Sequence, residues 1–581
     1  MSDMNKVEQD RATLAAVQGK GFWPKLGVFT KLSGPGWLQS AITLGGGSLA
    51  GSLYVGVIGG YDMLWLQPLM MILGIVMLSA IAYVTLSTGE KPFHAINKHV
   101  NPVLGWGWLG AAMIANLVWA MPQFSLGTAA MQQNLGLNLS DAACTAILFV
   151  IAGVVIWFYD AGGWGIKLFE ILLKILVAFI VLAFFGVVVA LGMNGELDGG
   201  AVLGGFIPDF SLLTQPAEAL RPYIEASSNS EYWTAEVVSI QKNTMIAAAA
   251  TAVGINMTFL LPYSMLRKGW DKTFRGLATF DLSTGLFIPF LLATSCVVIA
   301  AASQFHAQAP NIDETTTAAM LEGPARANLD KLVMSIDQDG FDQAKAEQEA
   351  AALIPIGEPT EIVQTQLTDF IDANSNLADK QLAVMVIKRD AGALAGSLEQ
   401  VTGSKTIAQT VFGLGVVGMA ISTIIILMLI NGFTFSEALG VKTCGPMHRV
   451  GSYLPAFTGA FGFIYLWSTV PDAKFWLAVP TSRVGMILLP VAYLTFFMMM
   501  NNTKLMGENM LQGGKKLIAN IIMVAAIVVA TIGCGISLWE TNMNFPGTET
   551  SVRPYLMGLV GAFIGLAVIV QVVRMGKKTS A

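Results

Sequence analysis

Long apolar runs alternate with short polar loops over most of the chain. A helix needs about 20 predominantly apolar residues to cross a bilayer. Runs of that kind fall near residues 35–59, 63–87, 105–133, 141–160, 167–192, 244–265, 278–302, 407–433, 451–469, 475–500, 516–539 and 553–574, which predicts about 12 transmembrane helices. Two hydrophilic stretches interrupt the series. Residues 193–242 are acidic and punctuated by Gly and Pro, and 303–406 carry helix-like segments such as FDQAKAEQEAAALIP. The expected organisation is an N-terminal segment 1–33, a membrane domain 34–302 with spans 1–7, a helical insert 303–406, spans 8–12 within 407–575, and a tail 576–581.

Composition fits this pattern: 54% of residues are hydrophobic and only 12% charged, against about 25% charged in ordinary soluble domains. The basic residues alternate strictly between loops. Lys6, Arg11, Lys20, Lys25 and Lys31 precede span 1, and Lys91, Lys98, Lys167, Arg267, Lys268, Lys272, Arg275, Lys442, Arg449, Lys504, Lys515, Lys516, Arg574, Lys577 and Lys578 follow the even spans. The short loops after odd spans hold only Lys474. The positive-inside rule then puts both termini in the cytoplasm and the insert outside, in a cell (inner) membrane. No apolar segment with a cleavage site opens the chain, so no signal peptide is expected.

Little chemistry of other kinds is present. Cys144, Cys296, Cys444 and Cys534 are scattered without ligand-like spacing. His94, His99, His306 and His448 all map to loops, so no histidine relay crosses the membrane, and no nucleophile set points to an enzyme. The DQDG at 337–340 fails as a calcium loop, because Ser335 and Ala346 stand where carboxylates are needed. The expected partners are a small-molecule or ion substrate and the lipid bilayer, with no nucleic acid and no cofactor.

Ionisable groups inside a membrane are expensive and default to functional candidates. Glu170, Lys174 and Asp281 near the inner ends of spans 5 and 7 form a candidate inner gate, with helix-end anchoring the plainer alternative; Arg483 in span 10 reads the same way. Uncharged polar groups are more informative. Span 1 carries Gly45, Gly46, Gly47 and Ser48; span 6 carries Asn256 and Thr258 with Pro262 beyond; span 3 carries Gln123. Each helical glycine costs roughly 1 kcal/mol relative to alanine. Gly and Pro at matching depth in two halves point to a transporter with inverted repeats, whose broken helices bind substrate through unwound backbone. Close packing through small residues, with Gly47 and Gly51 at the required spacing, is the alternative.

Over its membrane portion the chain resembles the natural resistance-associated macrophage protein (Nramp) family of divalent-metal/proton symporters. The likeness is carried by GPGWLQSAITLGGGSLAGSLYVGVIGGYDMLWL in span 1, GWGIKLFEILLKILV in span 5, FDLSTGLFIPFLLATSCVVIAAASQF in span 7 and LLPVAYLTFFMMMNNTKLMGE in span 10. It implies an all-α fold like that of the bacterial leucine transporter, two inverted five-helix repeats (5+5) plus 2 helices, with helices 1 and 6 broken.

The departures lie at the family's chemical positions. Its Asp-Pro-Gly-Asn motif is replaced by Gly45-Gly46-Gly47-Ser48. Its Ala-x-x-Met-Pro-His motif in span 6 has two registers here, one placing Thr258 and Leu260, the other Leu261 and Tyr263, at the methionine and histidine; neither restores a thioether or imidazole. Two acidic positions of span 3 become Met121 and Phe124, with Gln123 between.

Without carboxylates, a bare dication at mid-membrane is uncompensated. The site therefore reads as a neutral, hydrogen-bonding cradle of Gly45, Gly46, Gly47, Ser48, Asn256, Thr258 and Gln123 for a small polar organic solute, sugar-like or amino-acid-like, moved by alternating access. The Met419 carbonyl with the Ser422 and Thr423 hydroxyls in span 8, completed by span 1 carbonyls near Gly45, resembles the sodium site of the leucine-transporter fold, making Na+ the candidate coupling ion; a Ser-Thr pair that bonds back to its own helix is the alternative. The alternatives are a divalent metal cation transporter as in the parent family, and a non-transporting membrane sensor.

Overall fold

A computed structural model describes residues 2–160, 164–195, 197–308, 310–321, 323–352, 365–387, 395, 404–443, 445–467, 477–541 and 550–579. Helices form where the apolar runs predict them. Among the described residues nine helices are long and apolar enough to cross a membrane, and a bent pair, Pro35–Thr43 with Gly46–Met63, makes a tenth span. Trp164–Met193 and Pro446–Gly462 stand at the positions of spans 5 and 9 and complete the expected twelve. Lys474 and Cys444 lie outside the described residues.

The two largest departures from the expected pattern have plain physical causes. Span 6 begins at Ser230, well before residue 244, because the helix Ser230–Ala252 extends past the apolar zone and carries Glu231, Glu236 and Lys242 on its first turns. Span 8 runs from Lys405 to Leu439 for the same reason at both ends. Span 12 is apolar yet wholly unburied over its membrane window, which marks it as a peripheral, lipid-facing helix.

Loop 193–242 is pinned to the outer part of span 6 by one buried side chain. Gln241 Oε1 accepts the Ala217 N–H at 2.8 Å, and its Nε2 donates to the Leu212 and Gln215 carbonyls at 2.8 and 2.9 Å. The insert builds helices Pro324–Ile336, Gln338–Ala352, Thr365–Asn374 and Leu377–Met385. The DQDG stretch is a helix start, in which Asp337 Oδ1 accepts the Gly340 N–H at 2.9 Å. Leu329, Leu332, Ile371 and Leu382 of the insert share one buried cluster with Ile58 of span 1 and Trp233 and Val237 of span 6. Asp379 of the insert accepts the Trp233 indole N–H at 2.7 Å. The insert is thus packed directly onto both interrupted spans.

Candidate functional site

Span 1 divides into an inner half, Pro35–Thr43, and an outer half, Gly46–Gly59, bent by 54°. Span 6 divides into Ser230–Ala252 and Ile255–Arg267 around an extended Val253–Gly254. Both expected interruptions are therefore present, and Asn256 and Thr258 open the second half of span 6.

The glycines at the first break do a different job from the one their sequence implies. Gly45, Gly46 and Gly47 all have negative φ, so no left-handed backbone demands them. A Cβ on Gly45 would collide with Thr423 Oγ1, and one on Gly46 with Leu126 Cδ1. On Gly47 it would lie 3.0 Å from Thr251 Cγ2. The missing side chains let spans 8, 3 and 6 close onto the break, so the volume at Gly45 and Gly46 is filled by neighbours, while Gly47 borders a small cavity.

Broken helix ends leave backbone groups without intrahelical partners. The Gly46 N–H donates to Gln123 Oε1 at 3.0 Å. Ser48 Oγ donates back across the break to the Thr43 carbonyl. Ser422 Oγ lies 3.2 Å from the Ala41 carbonyl and 3.0 Å from the Met419 carbonyl, joining span 8 to the end of the inner half. Beside it, Thr423 Oγ1 is buried with no hydrogen-bond partner. The Met419 contact is a bond back to Ser422's own helix, whereas the Ala41 contact crosses to span 1 a few residues before Gly45.

Between these groups lies a cavity of about 30 Å³, walled by Thr43, Ser48, Gln123, Thr251, Thr423 and Ser482 on its polar sides and by Ile42, Trp119, Pro122 and Ala478 on its apolar ones, with Gly47 at its edge. It has room for a water-sized guest, not for a sugar.

Asn256 and Thr258 do not line this cavity. Thr258 Oγ1 accepts the Trp108 indole N–H at 2.8 Å, and Trp108 stacks on Phe259 at 4.7 Å. Asn256 Oδ1 accepts the Met257 N–H at 2.9 Å, leaving a buried Nδ2 without a partner. The residue between them is the one the sequence reading missed. Met257 Sδ accepts from Thr43 Oγ1 at 3.1 Å and lies 3.4 Å from the Gly254 nitrogen. A thioether thus stands one hydrogen bond behind the cavity wall. The register counted from Gly254 passes it by one residue, because it sets Ile255 at the alanine and therefore Thr258 at the methionine.

Met121 and Phe124 pack against Gly462 and Gly459 of span 9 and carry no polar function. Among the described residues no group of three or more His, Cys, Asp or Glu is gathered for a metal.

At the inner end, Asp281 is buried against the start of span 1. It accepts the Gly36 and Gly34 N–H groups at 2.6 and 3.1 Å and the Ser33 hydroxyl. A carboxylate at a helix N-terminus is favoured by the exposed N–H groups and the helix dipole. Of the expected gate, Asp281 occupies that place; the side chains of Glu170 and Lys174 lie outside the described residues. Arg483 donates to the Glu540 carbonyl at 2.8 Å, anchoring span 10 to the end of span 11.

At the outer end, His306 Nδ1 lies 3.0 Å from the Val57 carbonyl. A carbonyl only accepts, so Nδ1 carries the proton. Burial holds the His306 pKa below its ordinary value, although the Val57 carbonyl and Asp62 pull it upward.

The family model for natural resistance-associated macrophage protein-like chains matches residues 36–336 and 375–537. The metal transporter Nramp2 of Populus trichocarpa is 28% identical over 169 residues, which are 28% of this chain and 29% of that protein. Its counterpart in Arabidopsis thaliana matches to the same extent. The aligned stretch spans less than a third of the length of these curated relatives. In fold, the chain is similar to a mutant of the Eremococcus coleocola manganese transporter, with a TM-score of 0.62 at 12% identity over 96% of this chain and 97% of that one. The same transporter bound to an aromatic bis-isothiourea substituted compound gives 0.60 at 12% identity, over 96% of both chains. The fold is the leucine-transporter-like arrangement of 5+5 helices plus 2, with helices 1 and 6 broken.

Proposed function

The chain belongs to the natural resistance-associated macrophage protein-like family of membrane transporters, and from that premise we propose that it moves a small cation by alternating access, a divalent metal being the first candidate. The observation that carries this reading is the cavity at the span 1 break, about 30 Å³ in volume, where the oxygens of Thr43, Ser48, Gln123 and Thr423 stand among apolar walls of Ile42, Pro122, Trp119 and Ala478. In this conformation that volume suits an ion with little retained water better than the sugar-like or amino-acid-like solute that the uncharged motif implies. The relatives' names speak of metal and manganese, which agrees.

The donor set sets the terms of binding. Gln123, Ser48, Thr423 and the Thr43 carbonyl offer hard oxygens, and Met257 Sδ offers one soft ligand behind Thr43. Hard oxygen donors suit magnesium, calcium and manganese. Among the described residues no carboxylate lines the cavity, so binding is weaker than at an acidic site and rests on dipoles. The outer half of span 1 opposes the cation with its positive end, whereas the carbonyls ending the inner half favour it.

For the coupling ion, Met419, Ser422, Thr423 and Ala41 form the candidate sodium site. Asp281 serves as the latch of the inner gate. The basic loops support an inner-membrane location with both termini cytoplasmic.

Uptake into proteoliposomes tests the whole reading. Manganese and magnesium are offered under imposed sodium or proton gradients, with neutral solutes as competitors. Metal uptake that falls in Thr423→Ala and Gln123→Ala supports it. Uptake of a neutral solute without metal movement would overturn it, and no movement under any gradient would favour a sensor.

A further inference from the structure

Two helices precede span 1. Ser2–Ala15 lies against the loop after span 6, where Arg11 pairs with Asp271 at 2.6 Å and Val7 packs on Gly269. Phe22–Leu32 follows, and only Ser33 and Gly34 separate it from the inner half of span 1. This entry helix is held at its C-terminal end. Phe29 meets Phe280 of span 7 edge-on at 5.3 Å, and Val28 and Leu32 pack on the core. At its N-terminal end Phe22 and Trp23 are 68% and 77% exposed, their rings 5.4 Å apart.

Two exposed aromatic rings cost hydration unless something covers them. The chain itself limits what that is. A helix of eleven residues, two residues away from a membrane span, cannot leave the bilayer surface by more than its own length of roughly 16 Å. Lys20 and Lys31 are exposed and Lys25 is partly so, and no acidic residue lies between Gln18 and Gln39. Aromatic rings beside lysines on a helix at the bilayer boundary match the chemistry of an anionic lipid surface.

We propose that the entry helix is a bilayer anchor. Phe22 and Trp23 enter the headgroup–acyl boundary while Lys20, Lys25 and Lys31 engage anionic phospholipid headgroups. The anchored helix continues through Ser33, whose hydroxyl donates to Asp281, into the inner half of span 1. Membrane surface charge is thereby linked mechanically to the inner half of the broken helix. This inference stands apart from the identity of the cargo.

The test places a spin label at position 27 in full-length protein. Gly27 is exposed, with nothing within 4 Å of an added Cβ. A Gly27→Cys variant with Cys444→Ser is labelled in lipid nanodiscs, Cys144, Cys296 and Cys534 being buried. Oxygen and nickel-chelate accessibility is read in pure phosphatidylcholine and with added phosphatidylglycerol. Each lysine near an anionic surface is worth about a fivefold gain in partitioning, so phosphatidylglycerol moves the label deeper. Phe22→Ser with Trp23→Ser returns it to water, and replacing the three lysines by Gln abolishes the lipid dependence at unchanged fold by circular dichroism. A label that stays aqueous in both lipids overturns the proposal and leaves those rings to a protein partner. So does one whose depth ignores all five substitutions.

Discussion

Gln123 Oε1 accepts the Gly46 N–H at 3.0 Å, so a side chain of span 3 caps a helix that begins in the middle of span 1. Replacing Gln123 by Leu removes that acceptor and leaves a buried N–H unpaired, at a cost of about 1–3 kcal/mol. Reduced thermal stability and at least tenfold slower metal uptake are expected. Gln123→Glu retains the acceptor and adds the anionic charge that a dication lacks here, so it should tighten manganese binding, as measured by titration calorimetry. Unchanged affinity in Gln123→Glu would argue that cargo never approaches this residue.

Gly46→Ala places a methyl against Leu126 Cδ1. Overpacking of this kind costs typically about 1–3 kcal/mol. The variant should melt lower in detergent, and Leu126→Ala in the same chain should recover part of the loss. Additive destabilisation in the double variant would show that Leu126 is not the clashing partner.

Asp281→Asn weakens the cap on the inner half of span 1, because an amide presents one acceptor oxygen to the Gly34, Gly36 and Ser33 donors and no negative charge. Bonds to charged groups are worth about 1.5–3 kcal/mol each. The inner half should swing away more readily. A cysteine reporter at Ser40, buried in this conformation, should then react faster with a water-soluble maleimide than in the parent protein.

Protonating His306 should loosen the outer end of the same helix. Its pKa is depressed by burial, so the folded state binds this proton more weakly than the unfolded chain does. The stabilisation is complete above the unfolded value of about 6.5 and is lost as pH falls through that value toward the folded one. Melting temperature should drop between pH 7.5 and 5. His306→Asn, whose amide still donates to the Val57 carbonyl, should flatten that part of the profile.

Span positions were legible because hydropathy alone sets where helices cross a bilayer, and the break in span 1 because Gly45–Gly47 are adjacent in sequence. The ends of span 6 were not, since Glu231, Glu236 and Lys242 resemble loop residues when nothing shows that their helix projects beyond the apolar zone. The purpose of the glycines depends on Thr423, Leu126 and Thr251, which are far away in sequence. Thr258 looked like a ligand because its hydroxyl had no visible partner; Trp108, 150 residues away, supplies one. Met257 was overlooked because both registers of the family motif, one placing Thr258 and the other Leu261 at the methionine, pass over it, and only its contacts with Thr43 and Gly254 show that it faces the break.

Ile58 of span 1, Trp233 and Val237 of span 6 and Leu329 of the insert bury one another in a single cluster. The outer halves of both broken helices are therefore fastened to one lever, and swinging one without the other would have to open that cluster. A nanobody that clamps the insert would brake turnover from a distance, leaving the permeation route itself unobstructed.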